Sequence, residues 1–222
     1  MNHNIVILGH HNFGLSILLE TIVASQVDPK ITNVSNLDSS ENKLSEYPYL
    51  PGRKLNISHT TKESFVPHLD DLFLLSTISP TSRNSLYTEF HKIGIAIERY
   101  MKLIHPKAYV SSTSDLSKGS YIGPMSTIAP HCTIGDFLFM NRNASIGHHC
   151  TIGDYVSIAP GSHISSQAEI GNNTWISPGV TVRDGIKIGN NCIIGLGSVV
   201  LHDIPDDSVA YGNPARVIRS NV

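Results

Sequence analysis

The sequence has little charge, few cysteines and no long apolar run. Its 222 residues include three cysteines, and 16 basic against 18 acidic side chains leave a net charge of −2. Three scattered cysteines cannot form a disulfide framework in a chain of this size, which favours a reducing compartment. A nearly neutral chain does not attract nucleic acid or an acidic membrane. No apolar run approaches the ~20 residues of a membrane span, and the first residues lack the basic start of a secretory signal. We therefore expect a soluble, cytoplasmic protein with neither nucleic acid nor a membrane as partner.

An aliphatic residue recurs at every sixth position in the second half of the chain. Seventeen positions in one unbroken frame, from Ile104 to Val200, carry Ile, Val, Leu or Met. The residue two positions earlier is usually small, as at Ala144, Cys150 and Ser162. Large and small side chains would then alternate on the inner side of short strands. Such hexapeptides form a strand and a tight corner, and three of them close one triangular coil of about eighteen residues.

Residues eighteen apart support this register, because each such set should stack on one corner of the prism. Gly161, Gly179 and Gly197 would stack on one corner, and Asn173 and Asn191 on another. Glycine and asparagine are the residues that best tolerate a positive φ. The repeat therefore predicts a parallel β-helix.

The presence or absence of the six-residue repeat divides the chain into three parts. We expect a small α/β domain over 1–103, the β-helix over 104–205 and a C-terminal tail over 206–222. In the first part, apolar strands alternate with helical spacing, which predicts a small parallel, Rossmann-like sheet. The predicted elements are strands at 4–8, 30–34 and 72–76 and helices at 15–24 and 81–92.

A glycine-flanked turn follows the first predicted strand. It reads Gly9-His10-His11-Asn12-Phe13-Gly14, and it lacks the middle glycine of the dinucleotide motif. The carboxyl end of such a strand, facing a helix N-terminus, is where phosphate groups bind in open α/β sheets. A purely structural turn is an equal alternative. The candidate residues for substrate binding are Gly9, His10, His11, Asn12, Asp38 and Asn141.

The repeat resembles the left-handed β-helix of the hexapeptide-repeat acyltransferases. Along nearly the whole chain the sequence is similar to the sialic-acid O-acetyltransferase and bacillosamine-pathway UDP-4-amino-sugar N-acetyltransferase family. The matching motifs are the turn at 9–14, Asn141, the segment 146–154 and the terminal Gly212-Asn213-Pro214-Ala215. The resemblance implies a homotrimer with acetyl-CoA as acyl donor, a nucleotide-activated sugar as acceptor, and active sites between neighbouring prisms.

The resemblance also implies roles for two adjacent histidines, although two solvated histidines on an exposed turn are the alternative. His148 would be the general base, because a neutral imidazole can take a proton from an attacking amine or hydroxyl near pH 7. His149 stands where the family usually has Asp or Glu to orient the base. The two predicted catalytic residues are therefore His148 and His149.

The resemblance further implies where acetyl-CoA lies. The pantetheine arm would follow a groove, and the nucleotide end would lie near the tail. The predicted cofactor-binding residues are Ser157, Ser166, Pro178 and Leu196 along the groove, with Gly197, Gly212, Asn213, Pro214 and Arg216 near the nucleotide. At Ser157 the bacillosamine-type enzymes have a second histidine instead.

Two other chemistries fit the sequence poorly. A γ-class carbonic anhydrase needs two histidines five residues apart among its zinc ligands, and no His-x-x-x-x-His pair occurs in the sequence, so we expect no metal. Cys132, Cys150 and Cys192 fall on the inward position, where a thiol should be protonated and inert. Direct acetyl transfer is then simpler than an acyl-cysteine route.

The leading interpretation is an acetyl-CoA-dependent N-acetyltransferase acting on a nucleotide-linked amino sugar in surface polysaccharide or glycan precursor biosynthesis. A base without its carboxylate partner slightly favours an amine, but O-acetylation of a sialic acid type sugar stays open. A non-catalytic trimeric scaffold is the alternative from another class.

Overall fold

The N-terminal part of the chain is a four-stranded parallel sheet with helices on both faces. The computed structural model describes residues 4–9, 12–25, 29–35 and 57–221. The elements are β1 (Asn4–Leu8), α1 (Asn12–Ala24), β2 (Lys30–Ser35), β3 (Ile57–Thr61), β4 (Leu72–Leu75) and α2 (Pro80–His91). Two short 3-10 turns lie at Lys62–Ser64 and Ile97–Arg99. The strand order is β3-β2-β1-β4, and every pair is parallel.

Alternation along β1 divides the core of this domain into two layers. Ile5 and Ile7 pack in one apolar cluster with Leu15 and Leu18 of α1. Val6 and Leu8 point to the other side, in the cluster that contains Leu86 and Phe90 of α2. Successive residues of a strand face opposite sides of the sheet, so a wholly apolar strand must be buried on both. The predicted parallel sheet is confirmed. The strand β3 was not predicted, because its sequence, ISHTT, is polar.

The second half of the chain is a triangular prism whose strands follow the six-residue repeat. Each of the seventeen repeat positions is the second residue of a two-residue strand. Face 1 contains Leu103–Ile104, Tyr121–Ile122, Phe139–Met140, Ser157–Ile158, Trp175–Ile176 and Ile193–Ile194. Face 2 contains Tyr109–Val110, Thr127–Ile128, Ser145–Ile146, His163–Ile164, Thr181–Val182 and Val199–Val200. Face 3 contains Asp115–Leu116, Thr133–Ile134, Thr151–Ile152, Glu169–Ile170 and Lys187–Ile188.

The corners of the prism share one backbone conformation. The second corner residue has a positive φ at all fourteen repeat positions from Gly119 to Gly197, and nine of these residues are not glycine. A left-handed conformation costs a non-glycine residue roughly 1–2 kcal/mol. The coils offset this cost by hydrogen bonds, since the corner N–H of one coil donates to a carbonyl of the coil before it, as His149 N does to Pro130 O at 3.0 Å.

The chain ends in a hairpin that extends face 1. Its strands, Ser208–Gly212 and Ala215–Ser220, are antiparallel to each other, and the first pairs with Ile193–Ile194. Within the part of the chain that the structure describes, no helix has both the length and the apolarity that a bilayer crossing requires.

Face 1 carries the α/β domain. The outward side chains of Leu103, Tyr121 and Phe139 are buried in the same apolar cluster as α1. The Tyr121 hydroxyl lies 3.2 Å from the hydroxyl of Thr21. A triangular prism places each corner opposite a face, so the α/β domain lies opposite the corner between faces 2 and 3.

Arg83 of α2 fixes this docking. The side chain is buried, and its Nε and Nη2 donate to the main-chain oxygens of Phe137, Tyr155 and Val156 at 2.9–3.0 Å. Nη1 donates to the oxygens of Thr77 and Ile78, beside β4. Burial lowers the pKa of Arg83 to about 9, so the guanidinium is still protonated at neutral pH.

The corner conformation predicts the effect of one small substitution. Gly185→Ala should lower the free energy of unfolding by about 1 kcal/mol, because φ is +67° there and an added Cβ meets no atom within 4 Å. Gln167→Gly, one coil earlier on the same corner, is the matched control, since Gln167 has φ 61°. It should leave stability unchanged or raise it. Equal losses in denaturant titrations of both variants would contradict this account of the corners.

Candidate active site

His148 and His149 form the corner between faces 2 and 3, and both side chains are exposed. Gly147 allows this corner to pack closely, because a Cβ there would lie 2.6 Å from the main-chain nitrogen of Ser166. His149 has φ 59°, the left-handed corner conformation. The backbone therefore projects two adjacent imidazoles outward from the prism.

The two imidazoles contact each other edge to face. Their Nδ1 atoms are 3.0 Å apart, and the ring planes are at 90°. One Nδ1 must donate and the other accept. When His148 donates, its Nε2 carries a lone pair and can act as a base. The geometry therefore gives His149 the contact to Nδ1 of His148 that an orienting group needs.

A third histidine lies one coil earlier. The His131 ring is 4.9 Å from the His149 ring, at 46°. Stacked corner positions explain this contact without a metal. Among the described residues, no group of three His, Cys, Asp or Glu side chains could hold a metal ion.

A different corner carries most of the predicted donor groove. Pro178, Leu196 and Gly197 lie between faces 1 and 2, and Leu196 is 79% exposed. The tail reaches the same corner, since Gly212 N donates to the Ser198 hydroxyl at 3.1 Å. The hairpin turn after Gly212 holds Asn213 and Pro214, and Arg216 pairs with Tyr211 across the hairpin.

Two further predicted residues are divided between these corners. Ser166 lies one coil above His148, on the corner between faces 2 and 3. Asn141 lies at the corner between faces 1 and 2, in the coil that contains His148. Its amide oxygen accepts a hydrogen bond from Arg142 N at 2.8 Å. The full width of face 2 separates His148 and Ser166 from Asn141 and the predicted donor groove. A single chain therefore does not bring these two groups of residues together.

The prediction that Ser157 lines the donor groove is wrong for this chain. Ser157 is an outward residue of face 1, but it is buried beneath the α/β domain. Its hydroxyl donates to Ile78 O at 2.7 Å and accepts from Arg83 Nη2 at 2.9 Å. Both hydrogen bonds hold the two domains together.

Arg83 is one of the structural residues that the sequence analysis missed. Its spacing gave a signal, because Arg83, Leu86 and Phe90 share one side of α2 and all three are buried. An arginine on an apolar stripe indicates buried hydrogen-bond acceptors nearby.

The glycine turn of the α/β domain has a structural requirement at Gly9. Its φ is +97°, and a Cβ there would lie 2.6 Å from Leu86 and 2.8 Å from Ser76. Asn33, which the sequence analysis also missed, is buried and donates to the main-chain oxygens of Ile7 and Gly9. Asn12 begins α1, so a helix starts three residues after Gly9. His10, His11 and Asp38 lie outside the described residues, and phosphate binding at this turn stays a prediction.

The three cysteines point into the prism, and each thiol donates to a main-chain oxygen. The acceptors are Gly147 O at 3.0 Å for Cys132, Ser165 O at 3.1 Å for Cys150 and Pro205 O at 3.1 Å for Cys192. Burial raises the pKa of Cys150 to about 11 and also raises that of Cys192. Cys150 is therefore a protonated packing residue at neutral pH.

The comparisons with known proteins agree with this architecture. Residues 167–202 match the family model described as bacterial transferase hexapeptide (six repeats). No protein of curated function matches the chain in sequence. At the level of fold, the predicted left-handed β-helix behind an α/β region and the resemblance to hexapeptide-repeat acyltransferases are confirmed.

Several solved structures resemble the chain over nearly its whole length. The acetyltransferase domain of PglB from Neisseria gonorrhoeae FA1090, in complex with acetyl coenzyme A, has TM-score 0.82 at 22% identity and covers 98% of this chain and 100% of that chain. A perosamine N-acetyltransferase variant from Caulobacter crescentus, in complex with CoA and GDP-perosamine, has TM-score 0.78 at 20% identity, covering 99% and 98%. WeeI from Acinetobacter baumannii AYE has TM-score 0.72 at 18% identity, covering 97% and 100%. These likenesses establish the fold.

The thiol contacts predict how Cys150 tolerates substitution. Cys150→Ser should lower the free energy of unfolding by less than about 1 kcal/mol. Ser162 holds the equivalent inward position before the next face 2 strand, and its hydroxyl donates to a main-chain oxygen in the same way. Cys150→Ala should lose more, since it leaves Ser165 O without its donor. Denaturant titration measures both. A Cys150→Ser protein that loses more stability than Cys150→Ala would contradict this structural role.

Proposed function

We propose that the chain is an acetyl-CoA-dependent N-acetyltransferase that acetylates the amino group of a nucleotide-linked sugar. The observation that carries this proposal is the exposed His148 imidazole, whose Nδ1 is engaged by His149 at 3.0 Å. Nε2 is then the nitrogen that can take a proton from a substrate. The fold supports the choice of substrate class, since a perosamine N-acetyltransferase with this fold is solved with CoA and GDP-perosamine.

The corner between faces 1 and 2 fits an extended acyl donor. Gly161, Gly179 and Gly197 stack there in consecutive coils, and a Cβ on Gly161 or Gly197 would meet no atom within 4 Å. This leaves a strip of surface without side chains, bordered by Pro178 and Leu196. Acetyl-CoA, whose thioester supplies the acetyl group, would be held along this strip, with the hairpin of the tail near its nucleotide.

The reaction then needs one base and no covalent enzyme intermediate. His148 Nε2 takes a proton from the acceptor amine as its nitrogen bonds to the acetyl carbon and the C–S bond breaks. The same proton then passes from His148 to the leaving thiolate. Main-chain N–H groups would stabilise the negative charge that develops on the carbonyl oxygen. The buried cysteines take no part.

The site is complete only when two copies meet, and face 2 is the surface suited to that contact. Face 1 carries the chain's own α/β domain, and face 3 presents charged residues, including the Glu169–Lys187 ion pair. Thr127, Ser145 and Thr181 on face 2 are uncharged. Three copies with face 2 toward a common axis would place His148 of one copy beside the corner with Asn141 and Leu196 of the next. We infer a homotrimer.

The role of His148 predicts a selective loss of turnover. His148→Ala should lower kcat by ~10²–10⁴, while the Kd for acetyl-CoA changes little, because only proton transfer is lost. The substrates are acetyl-CoA and a GDP- or UDP-linked 4-amino sugar. His68→Ala, an exposed histidine in the α/β domain, is the control and should keep wild-type kcat. A His148→Ala enzyme with more than a tenth of wild-type kcat would exclude His148 as the base.

The face 2 interface predicts that one charge separates the copies. Sedimentation equilibrium at micromolar concentration should show a species of three times 24.2 kDa for the wild type. Thr127→Arg should dissociate it and abolish acetyl transfer, because three like charges would meet at the axis. Thr133→Arg, on the exposed side of face 3, is the matched control and should stay trimeric. A wild-type monomer, or a trimeric Thr127→Arg protein, would contradict face 2 as the interface.

A further inference from the structure

We propose that His148 and His149 act as one proton-sharing pair, in which His149 is a positioning residue that sets the tautomer of the base. A single proton taken up anywhere on the pair then switches the base off. This inference rests on the proposed function, since it concerns the same histidine. It goes beyond that function by giving the site a built-in response to pH.

The proposed sharing of a proton depends on the short contact between the two rings. At 3.0 Å, the two Nδ1 atoms can hold only one hydrogen between them. In one neutral arrangement His148 donates from Nδ1, so its Nε2 is free to accept a proton and the base is on. In the other, His149 donates from Nδ1, which forces the hydrogen of His148 onto Nε2 and turns the base off. A carboxylate at 149 would allow only the first arrangement, because it only accepts.

One extra proton leaves no active arrangement. With one hydrogen between the Nδ1 atoms and three hydrogens on the pair, both Nε2 atoms must be protonated. The proton that His148 takes from the acceptor amine creates this same cation during turnover, and its transfer to the leaving thiolate restores the neutral pair. The atoms and charges balance without a further co-reactant.

The coils on either side of this corner supply the neighbours of the pair. His131 stacks beneath His149 at 4.9 Å, and Ser166 and Gln167 form the corner of the coil above. His131 is thus a titratable neighbour of the pair, and a positive charge on His131 would oppose a proton on the pair. Among the described residues, no acidic side chain forms an ion pair with either imidazole.

The decisive experiment compares two substitutions at 149 by pH profile. His149→Glu supplies an acceptor only, so kcat on the alkaline plateau should equal or exceed the wild-type value. Its acidic limb should move up by about one pH unit, because a carboxylate favours the imidazolium form of His148. His149→Phe offers no acceptor, and its kcat should fall by about tenfold or more at every pH. His131→Phe preserves a stacked ring and should leave the plateau kcat unchanged.

A direct readout is the ¹⁵N spectrum of the histidines in the full-length protein with CoA bound. Near pH 8, His148 should show a protonated Nδ1, fully so in His149→Glu. Unchanged kcat, pH profile and tautomer in folded His149→Phe would overturn the pair while leaving His148 as the base. An active His148→Ala enzyme would instead overturn the proposed function itself. The two failures are therefore distinguishable.

Discussion

The left-handed corner at every sixth residue is the constraint on which the rest of the structure depends. It turns the chain after each two-residue strand, so residues eighteen apart stack and every side chain has a fixed corner or face. Gly147 lets the coils pack closely at the corner of His148, where a Cβ would collide with Ser166. A proposed base that is exposed and adjacent to its orienting group follows directly from this periodicity.

In the proposed reaction, the buried Arg83 guanidinium would determine how the active site is divided between copies. Its hydrogen bonds to Phe137, Tyr155 and Ser157 hold the α/β domain on face 1. His148 lies on the opposite corner, so a sugar nucleotide held by one α/β domain, as we propose, would be within reach only of another copy's histidine. In this account, the domain docking makes oligomerisation a requirement of the reaction.

The sequence could predict what depends on local spacing. The unbroken frame from Ile104 to Val200 predicted every strand of the prism, and the inward position of Cys150 followed from the same frame. Local spacing does not predict contacts between distant segments. Ser157 was predicted to line a ligand groove, but Arg83, seventy-four residues earlier, donates a hydrogen bond to its hydroxyl and the side chain is buried. The strand Ile57–Thr61 was missed because its alternation is polar and its partner, β2, supplies the pairing. The separation of Asn141 from His148 becomes visible only when the triangular coil is built.

The central claim is that each active site combines His148 of one copy with the opposite corner of its neighbour. It is tested most directly by mixing two inactive variants, His148→Ala and Asn141→Asp. The aspartate keeps an oxygen that accepts from Arg142 N, but it replaces the amide donor by a negatively charged acceptor, which should abolish the substrate binding predicted for Asn141. After the variants are unfolded and refolded together, mixed trimers should regain acetyl transfer, because some interfaces join an intact His148 to an intact Asn141. Mixed trimers that form and stay inactive would contradict a shared site.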